Sequence, residues 1–349
     1  MSSGRVRRVV IAVVFLAALP FLAAAGGGNG GQSDEARAEH QRIIDFWTAE
    51  RVAQAVPRDF YLNPSTGRFA PARKPAPPGP GTGVVSGSSW NGGGAIDGAS
   101  GKVLFEMGGS YWICSATVIT DSASDRSLIL TAAHCVYDET ESGMPEGFAT
   151  NWMFIPDYDA APAPLTTSGS FCSSTLYGCW TAEAMVVGEG YAYAGGFNDT
   201  AVVHDFAVVA VGEGGKNETL LEDVLGIDEQ PLLFNSVAAN RLVYAFGYPA
   251  EKKWLGSDLI YCRGPVGFDP LTDGATYRLS SCALNGGSSG GPWLVGFNEG
   301  SGSGTVMSVN SYSYRGITAM HGPILNADTG SVYDTALGAS GGTIAPDVP

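Results

Sequence analysis

Three short segments of the chain carry residue types that together can do nucleophilic chemistry. The segment LTAAHC places His134 after an apolar run, DFAVV begins with Asp205, and GGSSGGP holds Ser289 among glycines. A serine hydroxyl is a weak nucleophile at neutral pH, so a base must take its proton. Histidine suits that role because its unperturbed pKa is about 6.5, and a carboxylate holds the imidazole in the required tautomer. The three segments therefore predict a serine hydrolase.

The glycines beside Ser289 indicate how such a site would stabilise the negative charge that develops during attack. Without Cβ atoms in the way, backbone N–H groups can converge on the developing oxyanion. Each segment also has an ordinary explanation: a buried His-Cys pair, an aspartate at the start of a strand, and a flexible loop. Unrelated causes would rarely place all three in one chain, so their joint occurrence favours catalysis.

The rest of the chain has the composition of short strands joined by tight turns. Glycine (49) and proline (20) are abundant, and only 15% of the residues are charged. Runs rich in Val, Ile, Tyr, Phe and Trp are bounded by Gly, Asn, Asp or Pro, which is typical of strands. Strands are predicted at Lys102–Met107, Tyr111–Thr120, Leu128–Thr131, Trp152–Ile155, Ala184–Val187, Asp205–Val211, Leu242–Phe246, Pro292–Phe297 and Thr305–Asn310.

The N-terminal region is predicted to lie outside the catalytic domain. Residues 1–25 combine an arginine-rich start, an apolar run and three alanines, as in a secretory signal peptide. Residues 26–94 are predicted to hold one amphipathic helix, Ser33 to Val56, and then a Pro/Gly-rich linker. We interpret this region as a pro-segment, with proteolytic maturation in the linker. The alternative is a helix that docks on the domain and stays there.

The segments around His134, Asp205 and Ser289 resemble the chymotrypsin-like serine peptidases, whose catalytic residues follow that order along the chain. The resemblance spans about Ala95 to Ala345 and is strongest to the secreted bacterial branch related to the glutamyl endopeptidases, through the runs GKVLF, YWICSA and VNSY. It implies an all-β fold of two six-stranded β-barrels in a domain of residues 95–349, with the site in the cleft between them. The first barrel would span about 95–215 and the second about 230–345.

The resemblance also implies a role for each residue of the site. His134 would be the general base, Asp205 its orienting partner and Ser289 the nucleophile, with the backbone N–H groups of Gly287 and Ser289 as the oxyanion hole. Ser288 stands where the animal digestive enzymes carry an aspartate that pairs with a new N-terminal amine. Without a carboxylate there, we expect the loop to be ordered by its own backbone and its neighbours. A pro-segment would then act by occlusion or folding assistance.

The specificity pocket that the resemblance implies has no acidic floor. Counting back from the nucleophile puts the floor at Ala283, whereas aligning on Cys282 puts it at Ser280, and the sequence leaves this choice open. Neither residue is acidic, so the resemblance does not imply a preference for Arg or Lys. Glutamyl endopeptidases carry a histidine shortly before the pocket-wall serine. Here Asn310 precedes Ser311, so a preference for glutamate is not implied either.

Six cysteines follow the predicted signal peptide, and an even number in an exported chain favours three disulfides. No C-x-x-C pair occurs and the chain has four histidines, so we expect neither a metal site nor a cofactor. In the resembled family one disulfide joins the strand before the histidine turn to that turn, which here implies Cys114–Cys135. We expect the other two pairs to be Cys172–Cys179 and Cys262–Cys282.

The function predicted from these observations is a secreted, monomeric serine endopeptidase that acts on protein or peptide substrates. A net charge of −15 argues against nucleic acid and anionic membranes as partners. Two alternatives stay open. The run GSSGG also fits the G-x-S-x-G motif of serine esterases and lipases, which needs a helix after the serine and a later histidine, here His321. A non-catalytic binding protein on the same fold is the other.

Overall fold

The computed structural model describes residues 33–63, 68–71, 83–160, 171–226, 230–250 and 253–348. The predicted signal peptide lies outside these residues, as do residues 64–67 and 72–82 of the predicted linker. The elements, in chain order, are α1 (Asp34–Phe46), α2 (Ala49–Gln54), β1 (Val56–Pro57), β2 (Phe60–Asn63), β3 (Arg68–Pro71), β4 (Val85–Ser89), α3 (Ala95–Ala99), β5 (Ser100–Met107), β6 (Ser110–Ile119), β7 (Ser127–Thr131), β8 (Thr150–Pro156), β9 (Trp180–Gly188), α4 (Glu189–Ala192), α5 (Asp199–Val203), β10 (Ala207–Val211), α6 (Leu221–Leu225), β11 (Leu242–Gly247), β12 (Ile260–Phe268), β13 (Thr276–Ser280), β14 (Pro292–Asn298), β15 (Ser303–Val309), β16 (Tyr312–Tyr314), β17 (Ala319–Pro323), α7 (Ala327–Gly338) and β18 (Gly341–Ala345).

Six antiparallel strands close the first barrel, because β7 pairs with β6 on one side and with β10 on the other. The order around the barrel is β7, β6, β5, β8, β9 and β10. Their apolar runs fill the interior, and every residue of β7 and β10 is buried. The strands β1 and β18 add to this barrel as parallel partners of β6 and β9.

The second sheet contains six antiparallel strands in the order β15, β14, β11, β12, β13 and β17, with β16 beside β17. Its own core includes Ile260, Trp293 and Met307. Phe246 and Leu294 of this sheet pack instead with the core of the first barrel, so the two sheets share an apolar interface. The predicted all-β, chymotrypsin-like double-barrel fold is thereby confirmed.

All nine predicted strands are present, and the elements that sequence reasoning missed have weak local patterns. Gly264 and Pro265 interrupt the apolar pattern of β12, and two glycines dilute the apolar face of α7. β4 falls within the predicted linker, where Gly and Ser dominate, yet it pairs with β12, and the following Trp90 is buried against Phe246. The predicted linker is therefore packed on the domain from Val85 onward.

The predicted N-terminal helix is present as two helices. Ser33 caps α1 by accepting a hydrogen bond from the backbone of Ala36, and Thr48 caps α2 in the same way. Ile43, Ile44 and Trp47 lie buried against the first barrel. In the part of the chain described here, no helix has the length and apolarity needed to cross a membrane.

Candidate active site

The imidazole of His134 and the carboxylate of Asp205 form a buried pair at one end of the first barrel. In the β7–β10 pair Thr131 lies opposite Ala207, so the turn after β7 meets the residues before β10. Nδ1 of His134 lies 2.8 Å from Oδ2 of Asp205, and the backbone N–H of His134 donates to Oδ1 at 2.9 Å. The Ser311 hydroxyl donates to Oδ2 at 2.5 Å. These bonds fix the ring and leave Nε2 for another partner.

The loop that holds Ser289 packs so closely on the first barrel that only glycine fits at two positions. Gly290 has a φ of +83°, and a Cβ there would lie 2.1 Å from Oγ1 of Thr131 and 2.3 Å from the carbonyl oxygen of Ser115. Gly287 has a φ of +98°, and a Cβ there would lie 2.9 Å from a backbone carbonyl oxygen. The glycine-rich run thus allows the nucleophile loop to reach the histidine-bearing barrel.

Neutral hydrogen bonds hold this loop. Nδ2 of Asn310 donates to the carbonyl oxygen of Ser288 at 3.0 Å, while its Oδ1 accepts from Nε1 of Trp293 at 2.7 Å. The Ser115 hydroxyl donates to the carbonyl oxygen of Gly287 at 2.8 Å. Asn310, which sequence reasoning placed at the specificity pocket, therefore supports the nucleophile loop from behind.

The Ser289 hydroxyl is bonded to a carboxylate that the sequence analysis did not identify. It donates to Oδ1 of Asp59 at 2.7 Å, across 230 positions of sequence. Nε2 of His134 is buried and has no hydrogen-bond partner among the described residues. Burial raises the pKa of Asp59, while the bond from Ser289, the charge of His134 and the backbone N–H of Gly287 oppose that rise. The Ser289 hydroxyl proton is thus donated to Asp59 and not to Nε2 of His134.

A small cavity lies beside Asp59. It is lined by Asp59, Phe60, Tyr61, Asn285, Gly286, Ser311, Tyr312, Ser313 and Met320. Of the predicted pocket residues, Ser311 is among these. Ser280 instead lies exposed at the end of β13, and the backbone N–H of Ala283 donates to the carbonyl oxygen of Ser86 in β4. Met320 was missed because the pairing of β16 with β17 brings it to the cavity, and neither strand was predicted.

The structure contains three disulfides, and two of them join strands to segments of the site. They join the pairs named in the sequence analysis, Cys114–Cys135, Cys172–Cys179 and Cys262–Cys282. The first ties β6 to the His134 turn, and the third ties β12 to the segment that leads into the nucleophile loop.

The chain that follows Ser289 does not suit the nucleophile elbow of esterases and lipases. Pro292 begins β14, whereas that motif requires a helix after the serine. His321 is fully buried, and its Nδ1 faces the carbonyl oxygen of Tyr312 at 3.3 Å. Burial lowers the pKa of His321 to about 4. The esterase alternative is therefore not favoured.

One group of side chains outside the disulfides has the composition of a metal site. Ligand atoms of His204, Asp328 and Asp347 lie within 4.8 Å of one another among the described residues. Nδ1 of His204 is 3.8 Å from Oδ2 of Asp328, an ion-pair distance, and Asp347 accepts from the backbone N–H of Gly190.

Comparisons with known proteins agree with this geometry. No family sequence model matches the chain, and no curated protein sequence matches it. Among solved structures, the protease Anisep from Arthrobacter nicotinovorans is 32% identical, with a TM-score of 0.56, over 70% of this chain and 99% of that one. A thermostable serine protease, AL20, from an extremophilic microorganism is 29% identical, with a TM-score of 0.55, over 69% and 97%.

A Glu endopeptidase structure is 20% identical, with a TM-score of 0.51, over 74% of this chain and 99% of that one, and shares the fold. The likeness to Anisep extends over nearly the whole of that protease, and this chain has the double barrel and a buried His-Asp pair. The chain therefore belongs to the chymotrypsin-like serine proteases.

Proposed function

We propose that this chain is a secreted serine endopeptidase in which Ser289, His134 and Asp205 form the catalytic triad. The observation that carries the proposal is the buried His134–Asp205 pair, with Ser311 bonded to the same carboxylate, beside the loop that holds Ser289. Three disulfides support an exported protein. We propose that it acts as a monomer on protein or peptide substrates.

The geometry supports the following chemistry once the Ser289 hydroxyl turns from Asp59 to His134. Nε2 of His134 takes the hydroxyl proton as Oγ bonds to the substrate carbonyl carbon, and Asp205 stabilises the imidazolium. The N–H groups of Gly287 and Ser289 donate to the oxyanion. The proton passes to the leaving amine as the C–N bond breaks, which leaves an ester on Ser289. Water that gives its proton to His134 then hydrolyses this ester.

The proposed organisation has a signal peptide over residues 1–25, a pro-segment within residues 26–94 and a peptidase domain over residues 95–349. The packing of β4 and Trp90 on the second sheet supports one refinement. A cut after Ser89 would remove a strand from that sheet. We therefore propose that maturation occurs before Val85.

Substitution of the nucleophile tests the proposed function. Ser289→Ala should lower peptide hydrolysis by about 10⁶, because nucleophile and base act as a unit. The protein is taken from the culture medium, its N-terminus is sequenced in the same sample, and activity is measured on a mixed peptide library. Ser301→Ala, an exposed serine on the β14–β15 turn, is the matched control and should retain full activity. Unchanged hydrolysis by Ser289→Ala would contradict the proposal.

A further inference from the structure

We infer that residues Val56–Asn63, here named the cleft segment, are an inhibitory ligand that the chain supplies to its own active site. This inference rests on the proposed function and specifies its regulation. The cleft segment contacts the nucleophile, the base and the edge of the second sheet, each through a different group. It follows the helices α1 and α2, and Ile43 and Ile44 of α1 are buried against the first barrel.

The first contact holds the nucleophile away from its base. Because Ser289 donates its proton to Asp59, the hydroxyl is not bonded to Nε2 of His134. A side-chain carboxylate, and not a peptide carbonyl, thus faces Oγ. A carboxylate offers no amine that can leave, so the contact blocks the site without being cleaved.

The second contact occupies the sheet edge beside the site. β2 pairs in parallel with β16, with Phe60 opposite Tyr312 and Leu62 opposite Tyr314. β16 directly follows Ser311, which bonds to Asp205. A peptide strand that added to this edge would need the same backbone hydrogen-bonding groups, so the cleft segment and a substrate cannot bind there together.

Apolar contacts cover the base. The Phe60 ring lies edge-on to the His134 imidazole, with 5.5 Å between centroids, and stacks on Phe197 at 3.9 Å. Leu62 is buried in a cluster with Val202, Tyr312 and Tyr314. The cleft segment therefore fills the apolar surface on the histidine side of the cleft.

A buried ion pair links the cleft segment to the first barrel. Nη2 of Arg58 lies 2.8 Å from Oε2 of Glu139, and both side chains are less than a tenth exposed. Arg58 also donates to the backbone carbonyl oxygen of His134. Arg58 is the one ion-pair partner of Glu139 among the described residues, and a buried carboxylate without a partner is strongly destabilising. The barrel thus carries a charge that the cleft segment complements.

Two further contacts hold the N-terminal region on the domain, one at the loop before Ser289 and one at Asn151 of β8. A Cβ on Gly286 would lie 2.4 Å from Oδ2 of Asp59 and 2.9 Å from Cβ of Pro57. The loop before Ser289 therefore has room for the cleft segment only because residue 286 is glycine. Upstream, Nε1 of Trp47 donates to the backbone of Asn151 at 2.7 Å. A cut in the linker would therefore leave the segment bound until it dissociates.

The first test compares intact and processed protein by their rates of labelling with a fluorophosphonate, which reacts with an activated serine. Intact wild-type chain, verified by mass, should label at least about tenfold more slowly than processed enzyme. In the intact chain, Asp59→Ala should raise the labelling rate at least about tenfold, because a hydrogen bond to a charged group is lost. Asp45→Ala, exposed on α1, is the matched control and should label like wild type.

Two outcomes of this test are distinguishable. Equal labelling of intact and processed wild type would overturn the inference and leave the proposed function standing. Absence of labelling in both forms would overturn the proposed function itself.

A second measurement does not depend on how the variants fold. A synthetic peptide of residues 33–63 should inhibit the processed enzyme competitively, and the same peptide with Asp59→Ala should bind at least about tenfold more weakly. Failure of the unmodified peptide to inhibit at millimolar concentration, or equal inhibition by both peptides, would overturn the inference.

Discussion

The imidazole of His134 and the hydroxyl of Ser289 are oriented by different parts of the chain. His134 and Asp205 lie at the ends of paired strands, and the hydrogen bonds that orient the imidazole come from Asp205, within the predicted peptidase domain. The Ser289 hydroxyl, in contrast, is bonded to a residue of the N-terminal region. The proposed base is thus already oriented, whereas the hydroxyl of the proposed nucleophile is turned away from it. Activation in this account needs only the departure of Asp59, without the insertion of a new amine beside Ser288.

The largest effect on stability is expected from a substitution in the loop that holds Ser289. Gly290→Ala places a Cβ 2.1 Å from Thr131 at a φ of +83°. Backbone strain and overpacking should together lower the free energy of unfolding by about 4–6 kcal/mol. Gly330→Ala is the matched control, because Gly330 lies in α7 and a Cβ there would have no atom within 4 Å. It should raise stability by up to about 1 kcal/mol. Chemical denaturation measures both, and equal effects would contradict the tight packing of the loop.

A smaller effect is expected where the cleft segment meets the base side. Arg58→Met leaves Glu139 buried without its cation, which should weaken docking of the cleft segment by about 3–5 kcal/mol. Hydrogen exchange of the amides of residues 56–63 in the intact chain measures this loss. Adding Glu139→Gln should restore part of the protection, because no unpaired charge remains. If exchange of these amides were the same in wild type and Arg58→Met, the ion pair would have no role in docking.

The smallest effect concerns a pair of neighbouring carboxylates, Asp157 and Asp159, which follow β8. Burial and the neighbouring Asp159 raise the pKa of Asp157 to about 7. The folded state therefore retains a proton that the unfolded state loses at about pH 4, so stability falls as pH rises from about 4 to about 7. Asp157→Asn should raise the Tm at pH 8 and change it little at pH 5. A larger gain at pH 5 than at pH 8 would contradict this sign.

The three segments of the predicted triad could be recognised in the sequence because each is a short pattern whose chemistry is local, and the structure brings His134 and Asp205 together as a buried pair. The fold was equally accessible, since β7 and β10 are continuous apolar runs between turn residues. Arg58 and Asp59 could not be found this way. They follow a helix and precede a linker, and their partners lie 81 and 230 positions away.

The wall of the cavity beside Asp59 could be anticipated only in part, because Ser311 was among the predicted pocket residues and Met320 was not. Counting along the chain from Cys282 or Ser289 cannot locate a wall that is built by another hairpin. Met320 reaches the cavity only through the pairing of β16 and β17, and the register of that pair depends on tertiary packing. The one local hint in the N-terminal region was Pro57, which predicted the end of a helix but not what the next residues contact.

We propose that Ser289 becomes the activated nucleophile when the cleft segment leaves. To test this, processed enzyme is labelled with a fluorophosphonate and digested, and the adduct is located by mass spectrometry. We expect one adduct per chain, on Ser289, absent from His134→Ala and strongly reduced when the peptide of residues 33–63 is added beforehand. An adduct on another serine, or labelling of Ser289 that persists in His134→Ala, would contradict it.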